Sequence, residues 1–390
     1  MISVDEALAH LFSLVAPLDT EEVPLQQASG RVMSADAVAR RDQPPFAASA
    51  MDGYAVASDA VRPGARFTVI GEAAAGHGFG GEVGKDQAVR IFTGAPVPAG
   101  TDRVVIQEDV IRDGDSITLA DALDDNAYVR PAGGDFRVGD RMEAPRILGP
   151  ADIALLASMN IPAVTVRRKP RVALISTGDE LVMPGDKPGP DQIIASNTFG
   201  LKAMLDGIGA EARILPIARD TRASLIAAFD LATGSDLVIT IGGASVGDHD
   251  LVGDVAAELG MERAFYKVRM RPGKPLMAGR MGEAAMIGLP GNPVSAMVCG
   301  KVFVAPMIRA MLGLGAERAP LLTARLAHDL PQGGPREHYM RARLDDGVIA
   351  PDTRQDSSLL SVLAGANALM IRPVDDAPRK AGDLIEYLPL

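Results

Sequence analysis

The sequence predicts a multidomain α/β protein built around a three-layer domain with a mostly parallel sheet. Three patterns predict it. Over 169–318, apolar strand-like runs alternate with helix-length segments, the signature of a parallel sheet covered on both faces. Over 41–144 and 319–390, short β-type runs alternate with Gly- and Pro-rich turns, marking two smaller β domains. Helical patterns over 1–40 and 145–168 flank the first of these, so 41–144 reads as an insertion into a helical domain.

Taken in order, Val4, Leu8, Leu11 and Val15 recur at helical spacing behind a Ser3/Glu6 capping box, predicting a helix over 3–16. A second short helix is expected around 26–34. Pro44 and Pro45 bar a regular element over 41–48. The inserted strands are FTVIGE (67–72), QAVRIF (87–92), DRVVIQED (102–109) and AYVRP (127–131). Pro150 after Gly149 opens a helix over 150–161. The α/β series runs VALIST (172–177), helix 197–207, ARILPI (212–217), helix 221–232, DLVITIGG (236–243) and helix 250–259. Strands near 264–268, 275–279 and 284–288 follow, then a long helix over 293–312 with Asn292 as N-cap and Pro293 at its first position. The tail is expected to form a small barrel or sandwich.

Composition narrows the function. The 390 residues carry a formal net charge of −11. A nucleic-acid binder needs a basic footprint, so that class is excluded, whereas a local cationic pocket for a small anion is not. The single cysteine, Cys299, rules out a disulfide framework or cysteine metal cluster and reads as a packed core thiol. The N-terminus lacks the basic and apolar regions of a signal peptide, and no apolar run of about 18 residues is evident, so no membrane span and a cytoplasmic location are expected.

Three glycine-rich turns fall at carboxyl ends of strands, where ligands of open α/β sheets sit. They are Ser176–Glu180, Ile241–Gly247 (with Gly242, Gly243 and Ser245) and Leu289–Pro293. Backbone N–H groups in such turns and at helix N-termini cradle phosphate. Acidic residues gather at the same places. Asp179 and Asp248 read as helix caps; Glu180, Asp220 and Asp250 read as ligands for a hard cation such as Mg²⁺ shared with substrate phosphate. The strongest basic cluster is Lys267, Arg269, Arg271 and Lys274, stiffened by Pro272 and Pro275. A rigid loop of arginine and lysine suits an oxyanion. Arg341, Arg343, Ser357 and Ser358 in the tail offer further donors. By residue chemistry alone, Asp52 and Thr93, each before a glycine, read equally as turn formers, and the scattered histidines form no zinc site.

At these segments the chain resembles the MoeA family, the molybdopterin molybdenumtransferases, whose animal relative is the E domain of gephyrin. The resemblance runs the whole length through SAMDGYAV (49–56), FTGAPVPAGTD (92–102), VRPAGGDF (129–136), STGDEL (176–181), SNTFGL (196–201), GGASVGDHD (242–250), RPGKP (271–275), LPGNPVSA (289–296) and SSLLSVLAGAN (357–367). It implies insertion of molybdate into adenylylated molybdopterin with release of AMP, Mg²⁺ as cofactor, and a homodimer. It further implies a helical dimerisation domain at 1–40 and 145–168, an inserted domain at 41–144, a molybdopterin-binding domain at 169–318 and a C-terminal β domain at 319–390. The adenylyltransferase that supplies the substrate becomes an expected partner. Carried over by motif, Asp52, Thr93, Arg130 and Asp135 contribute from the inserted domain of one protomer. Glu180, Asp220 and Asp250 supply carboxylates from the α/β domain of the other, with Gly242, Gly243, Ser245 and Pro275 lining the substrate site. Lys267, Arg271, Lys274, Arg341 and Ser357 hold the anions. Two departures stand out: Arg271 where many relatives carry lysine, and Ala244 where valine is common. A gephyrin-like scaffold or a non-catalytic paralogue shares the fold, but neither needs the combination of Asp52, Glu180, Asp220, Asp250 and Lys274.

Overall fold

In the computed structural model, residues 1–243 and 251–390 are described. The first helix, α1 (Val4–Ser13), starts as its sequence requires: the Ser3 hydroxyl accepts the Glu6 N–H at 3.1 Å, and the Ser3 N–H donates to the Glu6 carboxylate at 2.7 Å. Its apolar face, Val4, Ala7, Leu8 and Leu11, is buried in the same cluster as Phe265, Val268 and Met311. The helix expected around 26–34 is instead a single 3-10 turn, Leu25–Gln27, followed by a strand, Val32–Met33. Gly30, at φ +74, ends any helical path there. Around it, Thr20–Pro24, Ala163–Arg167, Val32–Met33 and Arg146–Ile147 form a four-stranded sheet, so the region is less helical than expected. Besides α1, its one α-helix is α2 (Pro150–Ser158), opened by Gly149 and Pro150.

The inserted region is a six-stranded curled sheet in the order Arg103–Ile106, Gly53–Val56, Gln87–Ile91, Arg66–Ala73, Ser116–Leu119, Val110–Asp113. Two small cores cover its faces, one around Phe67 and Ile117, the other around Val89 and Ile91.

The central layer contains β1 (Arg171–Ser176), α3 (Asn197–Gly207), β2 (Glu211–Ile214), α4 (Arg222–Leu231), β3 (Leu237–Ile241), α5 (Leu251–Glu258), β4 (Glu262–Tyr266), β5 (Met277–Met281), β6 (Ala284–Leu289) and α6 (Pro293–Met311). The strand order is β2-β1-β3-β6-β5-β4. The first four strands run parallel; β5 runs antiparallel to β6, and β4, antiparallel to β5, runs with the first four. α3 and α6 cover one face and α4 and α5 the other. Leu174, Leu237, Ile239 and Ile287 are fully buried between them; each contributes roughly 1.5–3 kcal/mol.

α6 corrects one expectation. Its 19 residues, with mean hydropathy 1.5, are long and apolar enough to cross a membrane. They contain a π-helical turn, Gly300–Val304, and the best window is 78% buried inside the protein, so α6 is the core helix of the layer. Gly300 permits the close crossing with α3, because a Cβ there would meet Leu201 and Met204 at 2.7–2.8 Å. Cys299 lies on the same helix, fully buried, and burial pushes its thiol pKa up.

The tail closes into a five-stranded barrel from β7 (Leu322–Leu326), β8 (Glu337–Asp345), β9 (Val348–Pro351), β10 (Ala368–Arg372) and β11 (Leu384–Pro389). Pairing runs β8-β9-β7-β11-β10 and back to β8. β10 is buried on both faces: Ala368 and Met370 fill the barrel, while Leu369 and Ile371 join the core of the α/β layer. A short strand from that layer, Met270–Arg271, pairs with β8 and stitches the two together.

Candidate functional site

Strand order reverses between β1 and β3, the switch point where open α/β sheets bind ligands. A cleft of about 980 Å³ opens there. Its floor is made by the predicted glycine turns. Gly242 and Gly243 have φ +99 and +65; a Cβ on Gly242 would lie 2.6 Å from the Thr177 carbonyl oxygen. A Cβ on either glycine would also crowd the Thr177 hydroxyl, which is buried without a hydrogen-bond partner among the described residues. The third turn is tied in by Asn197, whose side-chain amide donates to the Gly291 carbonyl at 2.6 Å. The N-termini of α3 and α6 therefore meet at one rim, where their positive ends favour anions.

Glu180 and Asp220 both line this cleft. Asp179 is not the helix cap expected of it: it lies in a turn that starts no helix, and its side chain accepts the Asp220 N–H at 3.2 Å, while Thr221 caps α4. Asp254, in the first turn of α5, also lines the cleft and was missed; its position four residues after Asp250 is the signal that could have found it. Ser245, Asp248 and Asp250 lie outside the described residues. Among the described residues no three His, Cys, Asp or Glu side chains form a metal-holding group.

The basic loop adjoins the same cleft. Pro275 lines it, and the Val268 N–H donates to the Lys274 carbonyl at 3.0 Å, closing the loop. Lys267 adopts φ +73 and its ammonium sits 4.9 Å from the Tyr266 ring centre. Gly273 permits tight packing on α6, since a Cβ would overlap the Cys299 sulfur. Arg271 is exposed, with His338 as its register partner on β8.

Arg341 is placed differently from an open anion hook. It is fully buried, and its Nη2 donates to the carbonyls of Arg354 (3.3 Å) and Asp356 (2.9 Å). Its Nε and Nη1 have no partner among the described residues. The segment it holds reaches the cleft: the Val294 N–H at the start of α6 donates to the Ser357 carbonyl at 3.0 Å, and Ser358 rather than Ser357 lines the cavity. Positive potential fills this seam. Burial, then the charges of Arg271, Arg341, Arg336 and Arg372, push the His338 pKa down to about 4.

Asp52, Thr93, Arg130 and Asp135 do not line this cleft. Asp52 and Thr93 meet beside the inserted sheet, while Arg130 lies on a separate two-stranded pairing and Asp135 near Gln43. The Arg130 strand pairs with Ala48–Ser49, the Gly94 N–H donates to the Ser49 carbonyl at 2.9 Å, and the Asp135 N–H donates to Gln43. Asp52 Oδ1 accepts both the N–H and the hydroxyl of Thr93, each at 2.8 Å. The Thr93 N–H, then its hydroxyl, and the nearby Arg90 charge hold the Asp52 pKa below the usual carboxylate range.

A cleft at a sheet switch point, floored by glycine turns and helix N-termini and lined by Glu180, Asp220 and Asp254, defines an α/β protein with a ligand-binding cleft. Family models resolve which. Residues 2–160 match the MoeA N-terminal region (domain I and II), 173–310 a probable molybdopterin binding domain, and 323–390 the MoeA C-terminal region (domain IV). The molybdopterin molybdenumtransferase of Nostoc sp. is 35% identical, the match covering 100% of this chain and 94% of the relative. That of Haemophilus influenzae is 34% identical, covering 100% and 98%. A solved molybdopterin biosynthesis MoeA protein from Pyrococcus horikoshii superposes with a TM-score of 0.84 at 30% identity, covering 100% of this chain and 99% of that one. The chain belongs to the MoeA family of molybdopterin molybdenumtransferases, transferases of molybdenum cofactor biosynthesis.

Proposed function

We propose that the chain inserts molybdate into adenylylated molybdopterin and releases AMP. The observation that carries this reading is the switch-point cleft, whose lining brings Glu180 and Asp220 together with the glycine turns and the N-termini of α3 and α6. Across the cleft, the glycine turns and helix N-termini offer N–H donors to the phosphates of the second substrate. Lys274 and Arg271 hold molybdate by charge, and Glu180 and Asp220 face the anhydride. Hard oxygen donors of this kind fit Mg²⁺, which binds through one or two carboxylates and completes its shell with substrate phosphates and water. Bound there, the ion would neutralise charge developing as the anhydride opens. The test is direct: purified protein supplied with adenylylated molybdopterin, Mg²⁺ and molybdate should release AMP, and no release overturns the reading.

Asp52 and Thr93 enter this scheme from a partner protomer. The supporting surface is α2, not α1, whose apolar face is covered within the protomer. α2 buries only Leu156 and exposes Leu155 (37%), with Ile147 (51%) nearby in sequence. Light scattering should report a dimer, and Leu155→Asp should weaken it. Co-expressing an Asp52→Ala chain with an Asp220→Ala chain should restore part of the activity, because a mixed dimer holds one intact site. A monomeric native chain, or verified heterodimers without rescue, would remove the shared site.

Asp52 itself should act in turnover and not as a turn former. Asp52→Ala should slow AMP release by roughly tenfold, about 1.4 kcal/mol of barrier, with the melting temperature nearly unchanged. Parallel losses of activity and melting temperature would return Asp52 to a turn role.

A further inference from the structure

We propose that Arg90 is a positioning residue that fixes the Asp52–Thr93 pair in its working geometry, an inference that rests on the functional reading of Asp52. Arg90 lies on the strand Gln87–Ile91, directly opposite Tyr54. Its guanidinium is held between two aromatic rings, 5.0 Å from the Tyr54 centre and 4.7 Å from that of Phe92. Nη1 donates to the Gly53 carbonyl at 3.1 Å, and Nη2 donates to the Gln107 side-chain oxygen at 2.7 Å. The Gln107 N–H in turn donates to the Asp52 carbonyl at 3.1 Å.

These contacts have one common target. Gly53 follows Asp52 in the chain, Phe92 precedes Thr93, and Gln107 holds the Asp52 backbone. Arg90 thus grips the neighbours of both members of the pair and touches neither carboxylate oxygen. The strand leaves no slack on the other side: a Cβ at Gly53 would overlap the Val105 carbonyl. The result is a carboxylate whose Oδ1 takes both Thr93 donors, which fixes the orientation of the group. The Arg90 charge also favours the ionised form that accepts those bonds. A planar fork stacked on rings does this; a lysine supplies charge and neither the fork nor the stacking plane. Sequence patterns did not single out Arg90, because its function arises from Gly53, Tyr54 and Gln107, which strand pairing brings beside it from other parts of the chain.

The test is steady-state AMP release by the full chain carrying Arg90→Gln, Arg90→Lys, Asp52→Ala, and the double change Asp52→Ala/Arg90→Gln, with melting temperatures alongside. Arg90→Gln should lower kcat by about tenfold while leaving KM for molybdate unchanged, because the molybdate cations lie on other domains. Arg90→Lys should recover only part of that loss. Groups that act as one unit give non-additive losses, so Arg90→Gln should cost less than about twofold more in the Asp52→Ala background. Wild-type kcat in Arg90→Gln beside an impaired Asp52→Ala overturns the inference alone, as does a fully multiplicative double variant. An Asp52→Ala chain with full turnover removes the reading beneath it and the inference with it. Should Arg90→Gln melt below the assay temperature, the Arg90→Lys chain carries the same comparison in kcat, KM and the double variant with Asp52→Ala.

Discussion

Gly242→Ala is expected to cost at least roughly a hundredfold in turnover, about 2.7 kcal/mol of barrier. At φ +99 an alanine is strained by about 1–3 kcal/mol before any contact is considered. Its Cβ would also meet the Thr177 carbonyl at 2.6 Å, backbone against backbone, with no rotamer that avoids it. The Gly242 N–H bonds the Leu289 carbonyl at 3.1 Å, so relief of the clash pulls β3 away from the Leu289–Pro293 turn. Two of the three turns that form the cleft floor then move together. AMP release and thermal melting should both fall. The control is Gly334→Ala, in open space and at an ordinary φ, which should change neither. Wild-type turnover in Gly242→Ala would mean that this turn does not shape the substrate site.

The second large effect separates the two proposed roles, the basic loop for molybdate and the cleft carboxylates for Mg²⁺. A charge-assisted hydrogen bond is worth about 1.5–3 kcal/mol, so Lys274→Ala should raise the molybdate requirement roughly ten- to a hundredfold. Excess molybdate should then restore much of the rate. Asp220→Ala should respond to added Mg²⁺ and not to molybdate. Arg271→Lys keeps charge but loses the planar fork, so its molybdate defect should be smaller than that of Lys274→Ala. Titrating AMP release separately with molybdate and Mg²⁺ in the three variants checks this. An unchanged molybdate dependence in Lys274→Ala would show that the basic loop is not the molybdate site.

The parts of the fold legible in the sequence were those with local causes. The Ser3/Glu6 box, the Gly149-Pro150 start of α2, the buried runs of β1 and β3 and the Asn292-Pro293 start of α6 each carry their signal within a few residues. Residues 26–34 misled because apolar Leu25, Val32 and Met33 fit a helical spacing, whereas pairing with Ala163–Arg167 and Arg146–Ile147 more than a hundred residues away makes them strand. The apolar face of α1 has no visible partner in sequence because its partners, Phe265 and Val268, lie some 250 residues on. The site followed the same division. Glu180, Asp220, Gly242, Gly243 and Pro275 stood at strand ends that periodicity located, and they do share one cleft. The burial of Arg341, the approach of Ser358 and the clamp of Arg90 depend on how separate domains and strands meet, which no spacing encodes.

The short pairing of Met270–Arg271 with Glu337–His338 has a mechanical consequence. The cationic loop belongs to the α/β layer by chain connection, yet it is hydrogen-bonded into the barrel as an added strand. The same loop is held to the layer by the Val268 N–H bond to the Lys274 carbonyl and by the packing of Gly273 on α6, so layer and barrel grip it from two sides. A chain cut before Leu322 would keep every residue of the RPGKP loop and lose one of its two anchors.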